Sequence, residues 1–346
     1  MIFLYFNRPY LSARRRGRIE IGPMDDYTCR AKAYLEKRFR TCNEAGIYYA
    51  HQPIYGLKKG PSDHEIFGNY IRTYEILKTL SGIEFESFLD VGGAEGYKTY
   101  LIEKILGKKG SNCDLSFEAC KRAVDIFRIP SATADAHHLP YGDNAFDLVL
   151  CSETLEHVSE PEPVLLELLR IAEKAIVMTV PHEPRGRVDE TVKREVPHGH
   201  INKFHVNSFD YLNKEGYLVL RQKIYSPLLF LPSIFFMEEI PRDIMRSYAP
   251  PGYNRKGILE ILLLLYKMLR GVRKFTGKRT MAFFLKMDSI LCKIIPRYRA
   301  ILFVIIKDRN IDLQKESPSV SPRRILNIEM PHHYLDHGEG ADSPAD

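Results

Sequence analysis

The chain has 346 residues, of which 45% are hydrophobic and 27% are charged, and its formal net charge is +6. This length allows one large globular domain, or one domain with an insertion. The six cysteines form no C-x-x-C pair, so the sequence predicts neither a zinc knuckle nor a disulfide framework, and a reducing cytoplasm is the expected compartment.

The N-terminal part is predicted to be a loosely ordered arm over residues 1–25, followed by a helical cover over residues 26–82. In the arm, a short apolar stretch precedes the basic cluster at 14–18, which is the reverse of the order in a signal peptide. We interpret the cluster as a solvated basic arm, with a nucleic-acid contact as the alternative. Helices are expected at 31–40 and 65–80.

The segment 88–97, which reads FLDVGGAEGY, predicts a strand, a glycine-rich turn and a helix over 97–106. Glycine lets the backbone turn sharply and approach a ligand closely. Such a turn at the carboxyl end of a strand is where open α/β sheets bind nucleotide-like ligands. Taken alone the pattern is weak, because many such turns are glycine-rich for packing reasons.

Two further segments follow the same plan of a strand that ends in an acid. Asp114 opens a second unit and precedes a predicted helix over 117–127. Residues 134–158 then read ADAHHLPYGDNAFDLVLCSETLEHV, with Asp135 near the start and a predicted strand at 147–151.

Together these motifs resemble the class I methyltransferases that depend on S-adenosylmethionine (SAM), in the small-molecule branch that reads D-A-x-x-L-P-F, then F-D, then L-E-H. The resemblance covers roughly residues 86–216 and is specific for the superfamily, but not for a substrate. It implies an α/β fold with a Rossmann-like, seven-stranded mixed sheet flanked by helices. The methyltransferase domain is expected over residues 83–310.

The resemblance also implies roles for particular residues. Asp114 would accept hydrogen bonds from both ribose hydroxyls, and a charged acceptor strengthens such bonds. Asp135 would face the adenine amino group, and Asp90 would orient the glycine turn near the methionine amine. The full set of expected cofactor-binding residues is Asp90, Gly92, Gly93, Ala94, Gly96, Asp114, Leu115, Asp135, Ala136, Cys151 and Ser152.

The first motif departs from the family pattern D-x-G-x-G-x-G, because Ala94 stands where the second glycine is usual. Alanine tolerates most turn geometries except strongly positive φ, so a backbone shift is expected there. Each acid also has a simpler interpretation: Asp90 as a turn cap, Asp114 as a helix cap and Asp135 as a loop acid. A Rossmann dehydrogenase is the nearest rival, but it needs G-x-G-x-x-G with an acid about twenty residues later.

The remaining strands are predicted at 87–91, 175–180, 217–223 and 299–307, with a helix over 163–172 whose apolar residues share one face. Residues 311–346 are rich in Pro, Ser, Asp and Gly and are predicted to be a disordered tail.

The connection between strands six and seven is unusually long, about 75 residues within 225–298. It carries thirteen basic and five acidic residues, so its net charge is +8. Its two apolar stretches, 227–237 and 258–269, are shorter than the roughly 20 residues that span a bilayer. It is interpreted either as a helical subdomain with a solvated basic face, or as a lid that touches an anionic membrane or an amphiphilic substrate.

Methyl transfer to a hydroxyl needs a positioned acceptor and a base, and histidine is the usual base. The candidates are His200 and His182, with Glu153 at the edge of the transfer pocket. The H-x-H pattern of His198 and His200 also suggests a metal. Catechol-type methyltransferases hold Mg²⁺ through carboxylates, and no matching acid cluster is visible, so no metal is expected.

The sequence thus predicts a SAM-dependent methyltransferase that acts on a hydroxyl of a small molecule, sugar or lipid-linked precursor. The alternatives are a protein or RNA methyltransferase, and a catalytically silent SAM-binding scaffold protein. No specific nucleic-acid partner is expected. The expected location is the cytoplasm, with a peripheral membrane association as a further hypothesis.

Overall fold

The structure is a computed structural model that describes residues 24–40, 63–183, 186–225, 290, 298–308, 311, 313, 320–325 and 328. In chain order its helices and strands are α1 (Asp26–Arg40), α2 (Asp63–Leu80), β1 (Ser87–Val91), α3 (Tyr97–Leu106), β2 (Lys109–Asp114), α4 (Phe117–Phe127), β3 (Ser131–Thr133), β4 (Phe146–Ser152), α5 (Pro161–Ile171), β5 (Ala172–Pro181), α6 (Arg187–Lys193), β6 (Leu218–Tyr225), β7 (Tyr298–Ile306) and α7 (Pro322–Ile325). Two 3₁₀ turns, Leu155–His157 and Asp210–Glu215, complete the set.

The seven strands form one mixed sheet in the order β3-β2-β1-β4-β5-β7-β6. Strands β1 to β5 pair in parallel, and β7 runs antiparallel to both β5 and β6. The predicted Rossmann-like α/β fold with a seven-stranded mixed sheet is therefore confirmed. The strand order reverses between β1 and β4, and open α/β sheets bind ligands outside the carboxyl ends of the strands at such a point.

The sheet is covered on both faces because successive strand residues alternate between two apolar clusters. Phe88 and Leu148 pack with the apolar residues of α2, α3 and α4 on one face. Leu89 and Val149 pack with those of α5 on the other face. This alternation fixes the register, since a one-residue slip would turn each set toward the wrong layer.

Local sequence signals start and end the helices that follow the motif strands. In α4 the hydroxyl of Ser116 accepts a hydrogen bond from the backbone N–H of Ala119 at 3.2 Å, as an N-cap residue does. Helix α3 ends at Gly107, which has φ 71°, in the left-handed region that glycine tolerates.

The observed bounds agree with the sequence for β1, α3 and α4, and extend the predicted β4 and β5 by a few residues. Helix α5 begins two residues before the predicted start and ends one residue before the predicted end, because Ala172 belongs to β5. No range was predicted for the short, polar strands β2 and β3. The prediction of a disordered tail from residue 311 needs correction within the described part. Val320 and Ile325 are buried, and their apolar side chains belong to the same cluster as the buried residues of α3.

Most of the predicted N-terminal arm and of the basic insertion at 225–298 lies outside the described residues. Among the residues that the structure describes, no helix is long and apolar enough to cross a membrane.

Candidate functional site

A cavity lies at the carboxyl ends of β1, β2 and β4, where the strand order reverses. Helix α1 covers it with Tyr27, Ala31, Leu35 and Phe39. Seven of the predicted site residues line this cavity: Gly92, Ala94, Asp114, Leu115, Asp135, Ala136 and Glu153. The others lie in the surrounding layer or beyond it: Asp90, Gly93, Gly96, Cys151, Ser152, His182 and His200.

Asp114 ends β2 and joins the glycine turn to the next helix. Its Oδ2 accepts a hydrogen bond from the backbone N–H of Ala94 at 3.0 Å, and its Oδ1 accepts one from that of Ser116 at 2.9 Å. Burial raises the pKa of Asp114 to about 6, although those backbone donors lower it in part. Each carboxylate oxygen has a second lone pair. Asp114 can therefore still accept hydrogen bonds from a pair of ligand hydroxyls in the cavity.

The glycine turn is closely packed against its neighbours. Gly92 has φ 72°, and a Cβ there would lie 2.2 Å from Thr154 Oγ1. A Cβ on Gly93 would lie 2.0 Å from Asn112 Oδ1. Gly93 is therefore required by the packing of the turn itself, whereas Gly92 also borders the cavity.

Ala94 adopts φ 50°, so the turn has a left-handed backbone at the position where alanine replaces the usual glycine. Its N–H donates to Asp114 Oδ2, and its carbonyl accepts from Asn112 Nδ2 at 2.9 Å. These two hydrogen bonds hold an alanine in a region that non-glycine residues rarely adopt. Beneath the turn Asp90 is buried, and its Oδ2 accepts from Thr99 Oγ1 at 3.0 Å.

Asp135 is engaged by a neighbour two residues along the chain. The backbone N–H and ring Nδ1 of His137 both contact Asp135 Oδ1, at 3.0 and 2.6 Å. Burial alone would raise the pKa of Asp135, but the His137 hydrogen bonds and charge lower it overall. Asp135 is thus an ionised acceptor at neutral pH, and Oδ2 is the oxygen that His137 leaves to a ligand.

Ionisable side chains that the sequence did not single out lie behind the cavity. Arg72 of α2 pairs with Glu153 Oε2 at 3.1 Å. Lys98 Nζ donates to Ser152 Oγ at 2.8 Å, and burial lowers the pKa of this lysine. Glu153 itself has φ 57°, a strained conformation that is often found at functional sites.

Cys151 is buried at the end of β4, and burial raises the pKa of its thiol far above the usual range. It is therefore a neutral, small apolar residue beside the turn. Neither Cys151 nor Ser152 lines the cavity, and the Ser152 hydroxyl is shared with Lys98 and Thr179.

The predicted bases occupy different places. His182 follows β5 and stacks on Tyr298 with ring centroids 4.0 Å apart. His200 Nδ1 lies 2.7 Å from Glu183 Oε1. Neither histidine lines the cavity; His157 and His198 do, with their rings stacked 4.0 Å apart. Of the three catalytic candidates, Glu153 is the one on the cavity wall.

The sequence did not find the contributions that depend on chain segments far apart. Tyr27 reaches the loop before β6, where its hydroxyl donates to the carbonyl of Gly199 at 3.2 Å. The same carbonyl lies 3.1 Å from His157 Nδ1. No spacing along the chain signals such contacts, although the H-x-H pattern marked the loop as unusual.

Residues 89–175 match a family model described as a methyltransferase domain. Over 94 residues the chain is 33% identical to norajmaline N-methyltransferase of Rauvolfia serpentina. The match covers 25% of this chain and 32% of that enzyme, so the chain matches about a third of the curated relative's length.

Two solved structures of low sequence identity are also similar. One is a putative sarcosine dimethylglycine methyltransferase from Galdieria sulphuraria, with 16% identity, 74% of this chain and 94% of that chain covered, and a TM-score of 0.44. The other is geranyl diphosphate C-methyltransferase from Streptomyces coelicolor A3(2), with 10% identity, 83% and 100% covered, and a TM-score of 0.47.

Proposed function

We propose that residues 89–175, which match the methyltransferase family model, form a class I SAM-dependent methyltransferase domain of the small-molecule type, and that this protein transfers a methyl group from SAM to a small-molecule acceptor. One observation carries the proposal. The glycine turn after β1, Asp114 at the end of β2 and Asp135 after β3 all border a single cavity at the point where the strand order reverses.

The residues present fit the cofactor. SAM supplies a sulfonium-bound methyl group on a nucleoside that carries two ribose hydroxyls and an adenine amino group. Asp114 would accept the ribose hydroxyls, since its fixed carboxylate stands at the cavity wall. Asp135 would accept from the adenine amino group, and the side chains of Leu115 and Ala136 would contact the base.

The turn would hold the methionine part of the cofactor. Gly92 borders the cavity without a side chain, so backbone groups can approach a ligand there. Asp90 lies under the turn, and its Oδ1 is buried without a hydrogen bond from any described residue. That acceptor supports a role for Asp90 in orienting the methionine amine.

For the acceptor we propose a hydroxyl of a small molecule, a sugar or a lipid-linked precursor, with Glu153, His200 or His182 as the base. Glu153 has the strongest geometric support, since it lines the cavity and its Oε1 is buried without a partner among the described residues. The R. serpentina relative is an N-methyltransferase by name, so an amine acceptor is the second candidate.

We also propose a cytoplasmic location with peripheral association at anionic membranes. This proposal is supported by the +8 charge and the short apolar stretches of the insertion at 225–298. Association with the membrane would bring a lipid-linked acceptor to the protein.

The test incubates the purified protein with methyl-labelled SAM and cell extract separated into water-soluble small molecules, lipids, protein and RNA. We expect label in the small-molecule or lipid fraction, and fragmentation of the labelled product in mass spectrometry then distinguishes O- from N-methylation. Label confined to protein or RNA would contradict the proposed acceptor class. SAM binding without transfer to any fraction would favour the silent scaffold.

A further inference from the structure

Three potential metal ligands converge beside the cavity. Glu156 and His157 lie in the 3₁₀ turn after β4, and His200 lies in the loop before β6. One ligand atom from each of these three residues lies within 4.8 Å of the others. Metal-bound nitrogen and oxygen atoms each lie about 2.0–2.2 Å from a zinc-like cation. Small side-chain rotations would therefore bring all three to one ion.

Glu156 provides a second, independent observation. Its side chain is 0% exposed, and neither of its oxygens has a hydrogen-bond partner within the described part of the chain. His157 Nε2 lies 3.9 Å from Glu156 Oε1. A buried carboxylate without partners is costly, and such groups are normally paired or bound to a metal. Glu156 thus presents two unused acceptor oxygens to the two histidines.

Both histidines are oriented by hydrogen bonds at the other ring nitrogen. His157 Nδ1 lies 3.1 Å from the carbonyl of Gly199, which can only accept, so Nδ1 carries the proton. His200 Nδ1 likewise lies 2.7 Å from a carboxylate oxygen, Glu183 Oε1. In the neutral rings Nε2 then carries the free lone pair. Metal-binding histidines in proteins are held by carbonyl or carboxylate partners in this manner.

The backbone ties the ligands together. The N–H groups of Ile201 and Asn202 donate to the carbonyl of Glu156 at 2.8 and 3.2 Å. The Asn202 side chain also donates to the carbonyls of Leu155 and Val158. The loop that carries His200 is thus fixed to the turn that carries the other two ligands. The arrangement is pre-formed although its members are some 45 residues apart.

We propose that Glu156, His157 and His200 bind one divalent transition-metal ion, with Glu183 and the Gly199 carbonyl as the groups that orient the histidines. Two imidazoles and one carboxylate suit Zn²⁺, Mn²⁺, Fe²⁺ or Co²⁺. Mg²⁺ prefers an all-oxygen environment, so it is not the expected ion. The expectation from the sequence that no metal binds is replaced by this proposal.

The ion would stand at the edge of the cavity, because His157 lines the cavity together with Asp114, Asp135 and Glu153. With three protein ligands it keeps open positions. An acceptor with an oxygen donor can occupy one of them, and this last role rests on the proposed methyl transfer. The site would then select acceptors with oxygen donors, and His200 would be a ligand instead of a base.

The test measures metal binding without SAM and without acceptor, so its failure is distinct from failure of methyl transfer. The full chain is stripped with chelator and titrated with Co²⁺, Mn²⁺ and Mg²⁺ by calorimetry and, for Co²⁺, by visible absorption. We expect one Co²⁺ or Mn²⁺ per chain, and much weaker Mg²⁺ binding. Proton release on binding is checked in buffers of different ionisation enthalpy.

The variants are Glu156→Gln, which keeps the shape, and His200→Ala, whose side chain is 32% exposed and is the less disruptive change. Each should lose at least about tenfold in affinity, as should Glu183→Gln, since removal of an orienting partner typically costs 10–100-fold. His205→Ala, an exposed histidine in the same loop, is the matched control and should bind normally. Folding is checked by thermal unfolding of each variant.

Two results would overturn the proposal. One is a wild-type protein that, after it has been stripped with chelator, takes up neither Co²⁺ nor Mn²⁺. The other is unchanged affinity in folded His200→Ala and Glu156→Gln, which would assign any bound metal to other residues. In either case Glu156 is a buried, protonated acid. Burial and the nearby Glu153 carboxylate both raise its pKa and would account for the protonation.

Discussion

The carboxylate of Asp114 accepts a hydrogen bond from the backbone N–H of Ala94, and so the acid at the end of β2 holds the turn that follows β1. Asp114 therefore shapes the cavity as well as lining it. In the proposed complex the same carboxylate also accepts the ribose hydroxyls of the cofactor.

Replacing Asp114 by Ala should weaken SAM binding by about 1.5–3 kcal/mol, or roughly 10–150-fold, because hydrogen bonds to a charged acceptor are lost. Calorimetry measures this directly. Asp125→Ala removes an exposed acid from the neighbouring helix α4 and is the control that should bind normally. Unchanged affinity in folded Asp114→Ala would refute the ribose role. Asp135→Asn should lose less, since the amide keeps one acceptor.

SAM binding should weaken as the pH falls below about 6. Burial raises the pKa of Asp114 to about 6, so the carboxylate that we propose to accept the ribose hydroxyls becomes protonated below this pH. Affinity should be constant above pH 7 and fall by up to about tenfold per pH unit below 6. Asp90, whose pKa burial also raises to about 6, titrates in the same range. Asp114→Asn should therefore show a flatter profile than wild type; an identical slope in both proteins would argue against Asp114.

Gly92→Ala should be more destabilising than Gly107→Ala, although both glycines have left-handed backbones with φ 72° and 71°. A Cβ at Gly92 would collide with Thr154, whereas nothing lies within 4 Å of one at Gly107. Gly107→Ala should cost only the conformational strain, about 1–2 kcal/mol. Gly92→Ala should cost about 1–3 kcal/mol more through overpacking. Urea unfolding measures both, and equal losses would contradict the packing at Gly92.

Replacing the true base should lower kcat by about 10²–10⁴-fold and leave SAM affinity nearly unchanged. The variants are Glu153→Gln, His182→Ala and His200→Ala, compared with exposed His205→Ala. The position of Glu153 on the cavity wall predicts the largest loss for that variant. A loss in His200→Ala that accompanies loss of bound metal assigns a ligand role to His200. Full turnover in all three variants would leave positioning of the acceptor as the source of catalysis.

The insertion at 225–298 should bind anionic vesicles in a salt-dependent manner. Each basic residue near such a surface contributes about 1 kcal/mol, and screening shortens this attraction to about 8 Å at physiological ionic strength. Co-sedimentation with neutral and anionic liposomes at low and high salt tests this. A test variant in which Gln replaces Arg273, Lys274, Lys278 and Arg279 should bind anionic liposomes less than the wild-type protein does. Equal sedimentation with both lipids would favour a plain helical subdomain.

The sequence was sufficient for elements whose signal is local. Strand β1 is an apolar run that ends at a glycine turn, and the helices after β1 and β2 begin at the residues predicted. Strand β2 reads KGSNCD and lacks an apolar run, so it carries little signal. The Nδ2 of its buried Asn112 donates to the Ala94 carbonyl and to Ser131 Oγ, which only the assembled sheet brings near.

In the candidate site, too, some residues can be identified from local sequence and others only from the fold. Asp114 and Asp135 follow strands, and their place at one sheet edge comes from the parallel topology that the motifs imply. Arg72 reaches Glu153 from a helix before the sheet, and Glu183 reaches His200 across a loop. Such pairs depend on how distant segments pack, and neither charge nor spacing along the chain encodes them.

Strand β7 is made last among the seven strands but lies inside the sheet, between β5 and β6. A ribosome that adds about 5–20 residues per second needs roughly 4–15 s to pass from Tyr225 to Tyr298. Throughout that interval the nascent chain presents β5, a long apolar strand, with one unpaired edge. Exposed apolar edges recruit other strands and lead to aggregation. The order of synthesis thus makes yield in a heterologous host sensitive to translation speed and to chaperones that shield β5.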